Sequence, residues 1–154
     1  ETLFNMIQYD IPGSTFLDLF SGSGGIGIEA LSRGAKEAYF VEKAKPALRC
    51  IRENLRYTKL DKKAQVLATD VNSAIRQLET KNVTFDHIFM DPPYKDEVCT
   101  ETIKNIEKSG ILAEGGIIIA EHHIAEKLHE EIGIYKKIDE RDYSIKTISF
   151  YSKG

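Results

Sequence analysis

The residues best equipped for chemistry in this 154-residue chain form a short turn, Asp91-Pro92-Pro93-Tyr94. Two consecutive prolines fix two φ angles, so the turn is stiff and holds its backbone carbonyls in a set direction. An aromatic amine is a poor nucleophile, because its lone pair is delocalised into the ring. A carboxylate at Asp91 and a backbone carbonyl would accept its two N–H bonds, orient the nitrogen and favour the charge developing there. Tyr94 offers a flat face for a base, a contact of about 1–3 kcal/mol in stacking systems. Asp91, Pro92, Pro93 and Tyr94 are therefore the candidate catalytic set. The bland reading of the same four residues is a rigid, solvent-facing turn.

A second constellation lies upstream. Gly22-Ser23-Gly24-Gly25-Ile26-Gly27 matches G-x-G-x-x-G, with an apolar run before it and a helical pattern after it. Glycines here permit a tight turn, close backbone approach to a ligand and close helix packing. Glu42 follows Gly22 by 20 residues, the spacing at which an acid reaches ribose hydroxyls. A dinucleotide would bring a diphosphate, which Asp18, just before the glycines, would repel. S-adenosylmethionine has no phosphate and carries an ammonium and a sulfonium, which the same carboxylate would attract directly or through water. Asp18 thus favours the methyl donor over a nicotinamide cofactor; its competing role is that of a capping or turn acid. A P-loop is excluded, since Gly27-Ile28-Glu29 lacks G-K-[ST]. Asp70 is placed to accept from an adenine amino group, to cap the helix that starts at Val71, or to do both. The expected cofactor-binding set is Asp18, Phe20, Gly22, Ser23, Gly24, Gly27, Glu42, Lys43, Asp70 and Val71; for Phe20, plain core packing is the commoner fate.

These residues need a scaffold that gathers them. Residues 1–9 read as a short helix closed by Pro12-Gly13. Apolar runs of strand length occupy 15–20, 38–41, 65–68, 85–90 and 116–120, and four of them lead into the candidate residues. Helical patterns fill 26–33, 46 onwards, 71–78 and 97–109, with Gly34 and Gly110 placed as C-terminal caps. A weak helix is expected around 126–131, and alternating segments at 134–138 and 144–151 read as a closing antiparallel hairpin. Strands alternating with helices imply a Rossmann-like α/β fold: a mostly parallel seven-stranded sheet with helices on both faces. Right-handed crossovers then bring the strands' carboxyl ends to one rim, where Asp18, Glu42, Asp70 and Asp91 would converge.

Composition bounds the rest. A chain of 154 residues, 42% hydrophobic and 29% charged, fits one globular domain at 1–154. No apolar run approaches a membrane span, and two widely separated cysteines, Cys50 and Cys99, read as reduced thiols of a cytoplasmic protein. The net charge of −3 argues against a wholesale basic coat for nucleic acid, so a polynucleotide would need a local patch. Lys45, Arg49, Arg52, Arg56 and Lys59 recur at helical spacing opposite the apolar stripe of Ala44, Ala47, Leu48, Ile51 and Leu55. They are open to two readings, a phosphate-tracking stripe or an ordinary solvated face, and the second is favoured. His122, His123, Glu126 and His129 match no zinc pattern, so no metal is expected. His122 is the histidine expected to lie beside the cleft, and Lys95, Asp96 and Glu97 could form a lip after the catalytic turn.

Asp18-Leu-Phe-Ser-Gly-Ser-Gly24 followed by Ile28-Glu-Ala-Leu-Ser-Arg-Gly-Ala35 resembles the RsmD-type methyltransferases, bacterial enzymes of 16S rRNA guanine N2. Glu1-Thr-Leu-Phe-Asn5 resembles the segment before that motif, and Asp91-Pro-Pro-Tyr94 the family's catalytic turn. The resemblance implies a class I methyltransferase sheet with S-adenosyl-L-methionine held by Asp18, the Gly22–Gly27 loop, Glu42 and Asp70. It also implies a guanine N2 target held by Asp91 and Tyr94, in 16S rRNA or the small ribosomal subunit. Members of the family carry a basic segment before the position of Glu1, so the chain is expected to lack a short N-terminal piece. A monomer is the default. The Asp-Pro-Pro-Tyr turn is shared with DNA amino-methyltransferases, so a DNA, protein or other amino-methyltransferase stays open as an alternative, as does a nicotinamide-dependent oxidoreductase or nucleotide-binding module.

Overall fold

A computed structural model describes residues 2–8, 10–95 and 97–153 of the chain. Its eight-stranded sheet runs β3-β2-β1-β4-β5-β8-β7-β6. The strands are β1 (Thr15–Leu19), β2 (Glu37–Glu42), β3 (Ala64–Ala68), β4 (Phe85–Met90), β5 (Leu112–His123), β6 (Glu131–Ile132), β7 (Tyr135–Tyr143) and β8 (Lys146–Lys153). β1 to β5 are mutually parallel, and β8, β7 and β6 continue the sheet antiparallel. The order reverses at β1 and β4, which puts the switch point of the sheet between them.

Period-2 alternation divides the strand side chains between two cores, one on each face. Leu17, Val41, Ile88, Met90 and Ile118 pack against α4 (Val71–Thr80) and α5 (Val98–Ser109) through Ile75, Leu78, Ile103 and Ile106. Phe16, Phe40, Phe89, Ile119 and Phe150 pack on the other face against α1 (Thr2–Ile7), α2 (Gly25–Ser32) and α3 (Lys45–Thr58). With both faces covered, the buried strands read as nearly continuous apolar runs. None of the described helices is long and apolar enough to cross a membrane.

The expected weak helix at 126–131 is absent. Residues 126–129 have no regular structure, and Glu131–Ile132 form an eighth strand against Tyr135 and Lys136. Gly133, at φ +58°, turns the chain back within two residues, and Ile132 and Tyr135 are buried in the first core. Edge pairing and that burial outweigh the helix propensity of Glu, Lys and Leu. β5 runs from 112 to 123 instead of 116 to 120, because Leu112 pairs with Phe85 of β4 and β8 supplies partners as far as His123↔Lys146. On α3, Leu48, Ile51 and Leu55 are buried as expected, whereas Ala44 is exposed. Of the termini and the expected lip, Glu1, Tyr9 and Asp96 lie outside the described residues.

Candidate active site

The glycine loop sits where β1 hands over to α2. Phe20 leaves the strand at φ +59°, a conformation costly for a side chain, and its ring is half-buried against the first core. Ser21 then ties the loop to β2: its N–H donates to the Val41 carbonyl at 2.9 Å, and its hydroxyl accepts from the Val41 N–H at 3.1 Å and donates to the Asp18 carbonyl at 2.7 Å. Sequence reading passed over Ser21, because a serine among glycines looks like filler. Gly24 at φ +84° begins α2, and a Cβ at Gly27 would lie 2.4 Å from the Phe40 ring, so only glycine lets this helix close onto β2. At Gly22, φ is +57° and a Cβ would meet nothing within 4 Å: the loop is open toward the rim at the place where a ligand must approach.

The acids are not equivalent. Asp18 is 1% exposed, inside β1 between Phe40 and Phe89, and its Oδ2 accepts the Gly27 N–H at 3.1 Å. It therefore satisfies one of the free N–H groups in the first turn of α2, and it acts on the loop from beneath. Burial pushes its carboxyl from 3.8 up to about 7, with smaller upward contributions from Asp91 and Glu42; the hydrogen bonds from Gly27 and Ser21 oppose the rise. Glu42 closes β2 with both oxygens engaged: Oε1 accepts Gly22 N–H at 2.8 Å, and Oε2 accepts Lys43 N–H at 3.1 Å and Ala44 N–H at 3.0 Å. Oε2 is thereby filled, and Oε1 keeps one lone pair for a hydroxyl. The exposed carbonyl of Ser23 accepts from Asn54 Nδ2 at 3.2 Å, which pins the loop to α3.

Asp70 stands apart. It is exposed and caps α4, taking Ser73 N–H at 2.8 Å and Ser73 Oγ at 2.9 Å, and these bonds lower its pKa. Val71, the first residue of that helix, packs half-buried on the first core. Asp18 thus feels the charge of Glu42 and Asp91, while Asp70, beyond the edge strand β3, is committed to the end of α4.

Asp91 follows the last residue of β4 and is half-buried; Pro92 is buried, Pro93 exposed and Tyr94 61% exposed. Two neighbours of this turn were not foreseen. Lys146, the first residue of β8, donates from Nζ to Asp91 Oδ1 at 2.9 Å. His123, paired with Lys146 across the sheet, packs its ring on Tyr94 with centroids 4.8 Å apart and planes tilted by 31°. His122, the histidine expected at the cleft, instead points the other way. It is 3% exposed, and its Nε2 bonds Ser149 Oγ at 2.9 Å. Strand alternation separates the two rings, and the register with β8 decides which one faces the turn. Among the described residues no group of three or more His, Cys, Asp or Glu is arranged to hold a metal ion. Cavities of about 290 Å³ beside β3 and about 340 Å³ at the opposite rim, near His87, contain none of the residues above.

The donor set of the rim fits one kind of cofactor better than the other. Asp18 carries the adverse charge of Asp91 and Glu42 on top of its burial, and the glycine loop itself has no lysine or arginine for a diphosphate. A cationic ligand would relieve that repulsion; an anionic one would add to it.

Residues 1–152 match the family model described as "Conserved hypothetical protein 95". The chain belongs to this family, the RsmD-type methyltransferases. Among its relatives, a Bacillus subtilis (strain 168) protein named "Putative rRNA methyltransferase YlbH" is 37% identical over 153 residues, 99% of this chain and 83% of that one. "Ribosomal RNA small subunit methyltransferase D" of Escherichia coli (strain K12) is 34% identical over 124 residues, 80% of this chain; the match spans 61% of the E. coli protein. Of solved structures, a conserved hypothetical protein of Streptococcus pyogenes superposes with TM-score 0.90 at 35% identity, covering 97% of this chain and 92% of that one. "Putative methyltransferase yhhF from Escherichia coli" superposes with TM-score 0.89 at 29% identity, covering 99% and 84%. The RsmD-type chain described here accordingly has the Rossmann-like fold of S-adenosylmethionine-dependent methyltransferases.

Proposed function

We propose that this RsmD-type protein transfers a methyl group from S-adenosyl-L-methionine to the exocyclic N2 amino group of a guanine in 16S ribosomal RNA. The observation that carries the reading is the pairing, at the switch point of the sheet, of an open glycine loop ringed by carboxylates with the stiff Asp91–Tyr94 turn on the adjacent strand. The names of its relatives, ribosomal RNA methyltransferases, support RNA as the substrate class.

The bound donor supplies an electrophilic methyl on a sulfonium. Glu42 would hold a ribose hydroxyl through Oε1, Gly22, Ser23 and Gly24 would line the donor with backbone, and Asp18 would balance its cationic end. Asp70 has lone pairs left for the adenine amine, and Phe20, Lys43 and Val71 complete the surround. On the other side Asp91, held by Lys146 through Oδ1, would accept one amine N–H through Oδ2, and a carbonyl of the proline turn would accept the other. Tyr94, braced by His123, would carry the base. The donor would give up the methyl and retain the C–S electron pair, and Asp91 would take the proton that the nitrogen releases once its bond to the methyl has begun to form.

Incubation with radiolabelled donor and 16S rRNA, 23S rRNA or duplex DNA in parallel tests this reading. Label in the 16S arm alone is the expected result. Label in DNA alone, or tight NADH binding with no donor binding, would replace it.

A further inference from the structure

Charge is very unevenly placed along this chain. Between Lys43 and Lys63 stand eight Lys and Arg against two acids, a net +6, although the whole chain carries −3 and the remainder therefore −9. α3 is the centre of that segment. Lys45, Arg49, Arg52 and Arg56 fall within an arc of about 60° at 100° per residue, and span about 16 Å of helix axis. All four are exposed, as are Lys43, Lys59, Lys62 and Lys63.

An ordinary solvated helix interleaves its signs, because like charges at i,i+3 and i,i+4 repel. Here Lys45/Arg49, Arg49/Arg52 and Arg52/Arg56 are all such pairs. Glu53 is the one acid on the helix. It lies four residues after Arg49 and three before Arg56, yet it forms an ion pair with neither. None of the eight cations has an ion-pair partner among the described residues. Tyr57, next to Arg56, is 89% exposed, which leaves its ring face free. The stripe is also continuous with the site. It starts directly after Glu42, and α3 is fastened to the glycine loop by Asn54 to Ser23 and by Ile51 under Gly24.

We infer that the exposed face of α3, with Lys43 before it and Lys59, Lys62 and Lys63 after it, is the surface that tracks the phosphate backbone of the RNA substrate, with Tyr57 available to stack on an unpaired base. Nucleic acid fits this face by charge complementarity: a backbone bearing one negative charge per about 3.4 Å of axis on each strand can neutralise an unpaired line of cations and release its counterions. The remaining surface, strongly acidic, would repel the same polyanion, so binding is confined to this side of the molecule. This inference rests on RNA being the substrate of the methyltransferase.

The test measures binding of the full chain to an in vitro transcript of 16S rRNA by fluorescence anisotropy across 50–300 mM salt. R49Q/R52Q/R56Q and R49E/R52E/R56E are compared with K81Q/K104Q/K108Q, which removes three exposed cations elsewhere. Glutamine and glutamate keep helix propensity, and circular dichroism with donor titration verifies folding. The α3 triples are expected to bind about ten- to a hundredfold more weakly at low salt, with a salt slope shallower by about 2–3. The control triple keeps the wild-type affinity and slope. Equal losses in all three variants, or none in the α3 variants, would overturn the assignment. So would α3-dependent binding to phosphatidylglycerol vesicles without α3-dependent binding to RNA. If the wild type binds the transcript without methylating it, the proposed activity fails while the binding series still judges α3. If the wild type methylates and the α3 variants bind as it does, the surface fails and the activity stands.

Discussion

Asp18→Asn separates what the buried acid does for the fold from what it does for the ligand. The wild-type carboxyl is buried, with a pKa raised from 3.8 to about 7. Below about pH 4 folded and unfolded chains both hold the proton. Between there and about pH 7 only the folded chain does, so stability falls as pH rises through that window and levels off above it. The displacement corresponds to about 4 kcal/mol lost by pH 8, and to roughly 1–2 kcal/mol at pH 5. Asparagine keeps an oxygen for the Gly27 N–H and removes the ionisation; its buried amide N–H groups cost about 1–3 kcal/mol if left unpaired. The variant should match the wild type near pH 5 and exceed it by about 1–3 kcal/mol at pH 8. For a chain of this size that is a melting temperature about 5 °C higher. Thermal unfolding followed by circular dichroism at both pH values, without donor, reads this directly. Calorimetric titration of the same variant should show S-adenosylmethionine binding weakened at least about tenfold, one factor of ten being about 1.4 kcal/mol. A stability difference that does not grow with pH would refute the burial reasoning, and unchanged donor affinity would refute the electrostatic role.

Further expectations follow from single contacts. Gly27→Ala drives a Cβ to 2.4 Å from Phe40, and should cost about 1–3 kcal/mol in urea unfolding and impair donor binding, because α2 must shift. Lys146→Met should lower kcat by about ten- to a hundredfold, the worth of a charge-assisted hydrogen bond, with donor affinity unchanged and substantial recovery in Lys146→Arg; an unaffected kcat would remove Lys146 from the site. Asp70→Ala should lower the melting temperature slightly through the lost α4 cap, and weakened donor binding by the folded variant in calorimetric titration would report the adenine contact, unchanged affinity removing it.

The parallel half of the sheet was legible because each strand is a short apolar run punctuated by glycines or an acid: the glycine loop after β1, Glu42 closing β2, Asp70 capping the helix after β3 and Asp91 following β4. The glycine loop was legible because side chains are strained at φ +84°, the conformation of Gly24, and a Cβ at Gly27 would strike the Phe40 ring. What stayed hidden depends on pairings that local pattern does not encode. Lys146 reaches Asp91 only because β8 enters antiparallel beside β5, 55 residues away in sequence. The choice between His122 and His123 is one of strand parity, fixed by that same register. The short β6 was obscured by helix-forming residues whose propensity yields to the edge of the sheet. Ser21 was missed because its value lies in two backbone bonds to Val41, not in chemistry.

The most direct measurement is nucleoside mass analysis of 16S rRNA incubated with the protein and S-adenosylmethionine, beside a parallel reaction with Asp91→Ala. The account predicts N2-methylguanosine from the wild type. It predicts none from the variant, which should still bind donor with wild-type affinity. A methyl group on a ring nitrogen, a carbon or a ribose, or equal yields from the two proteins, would contradict it.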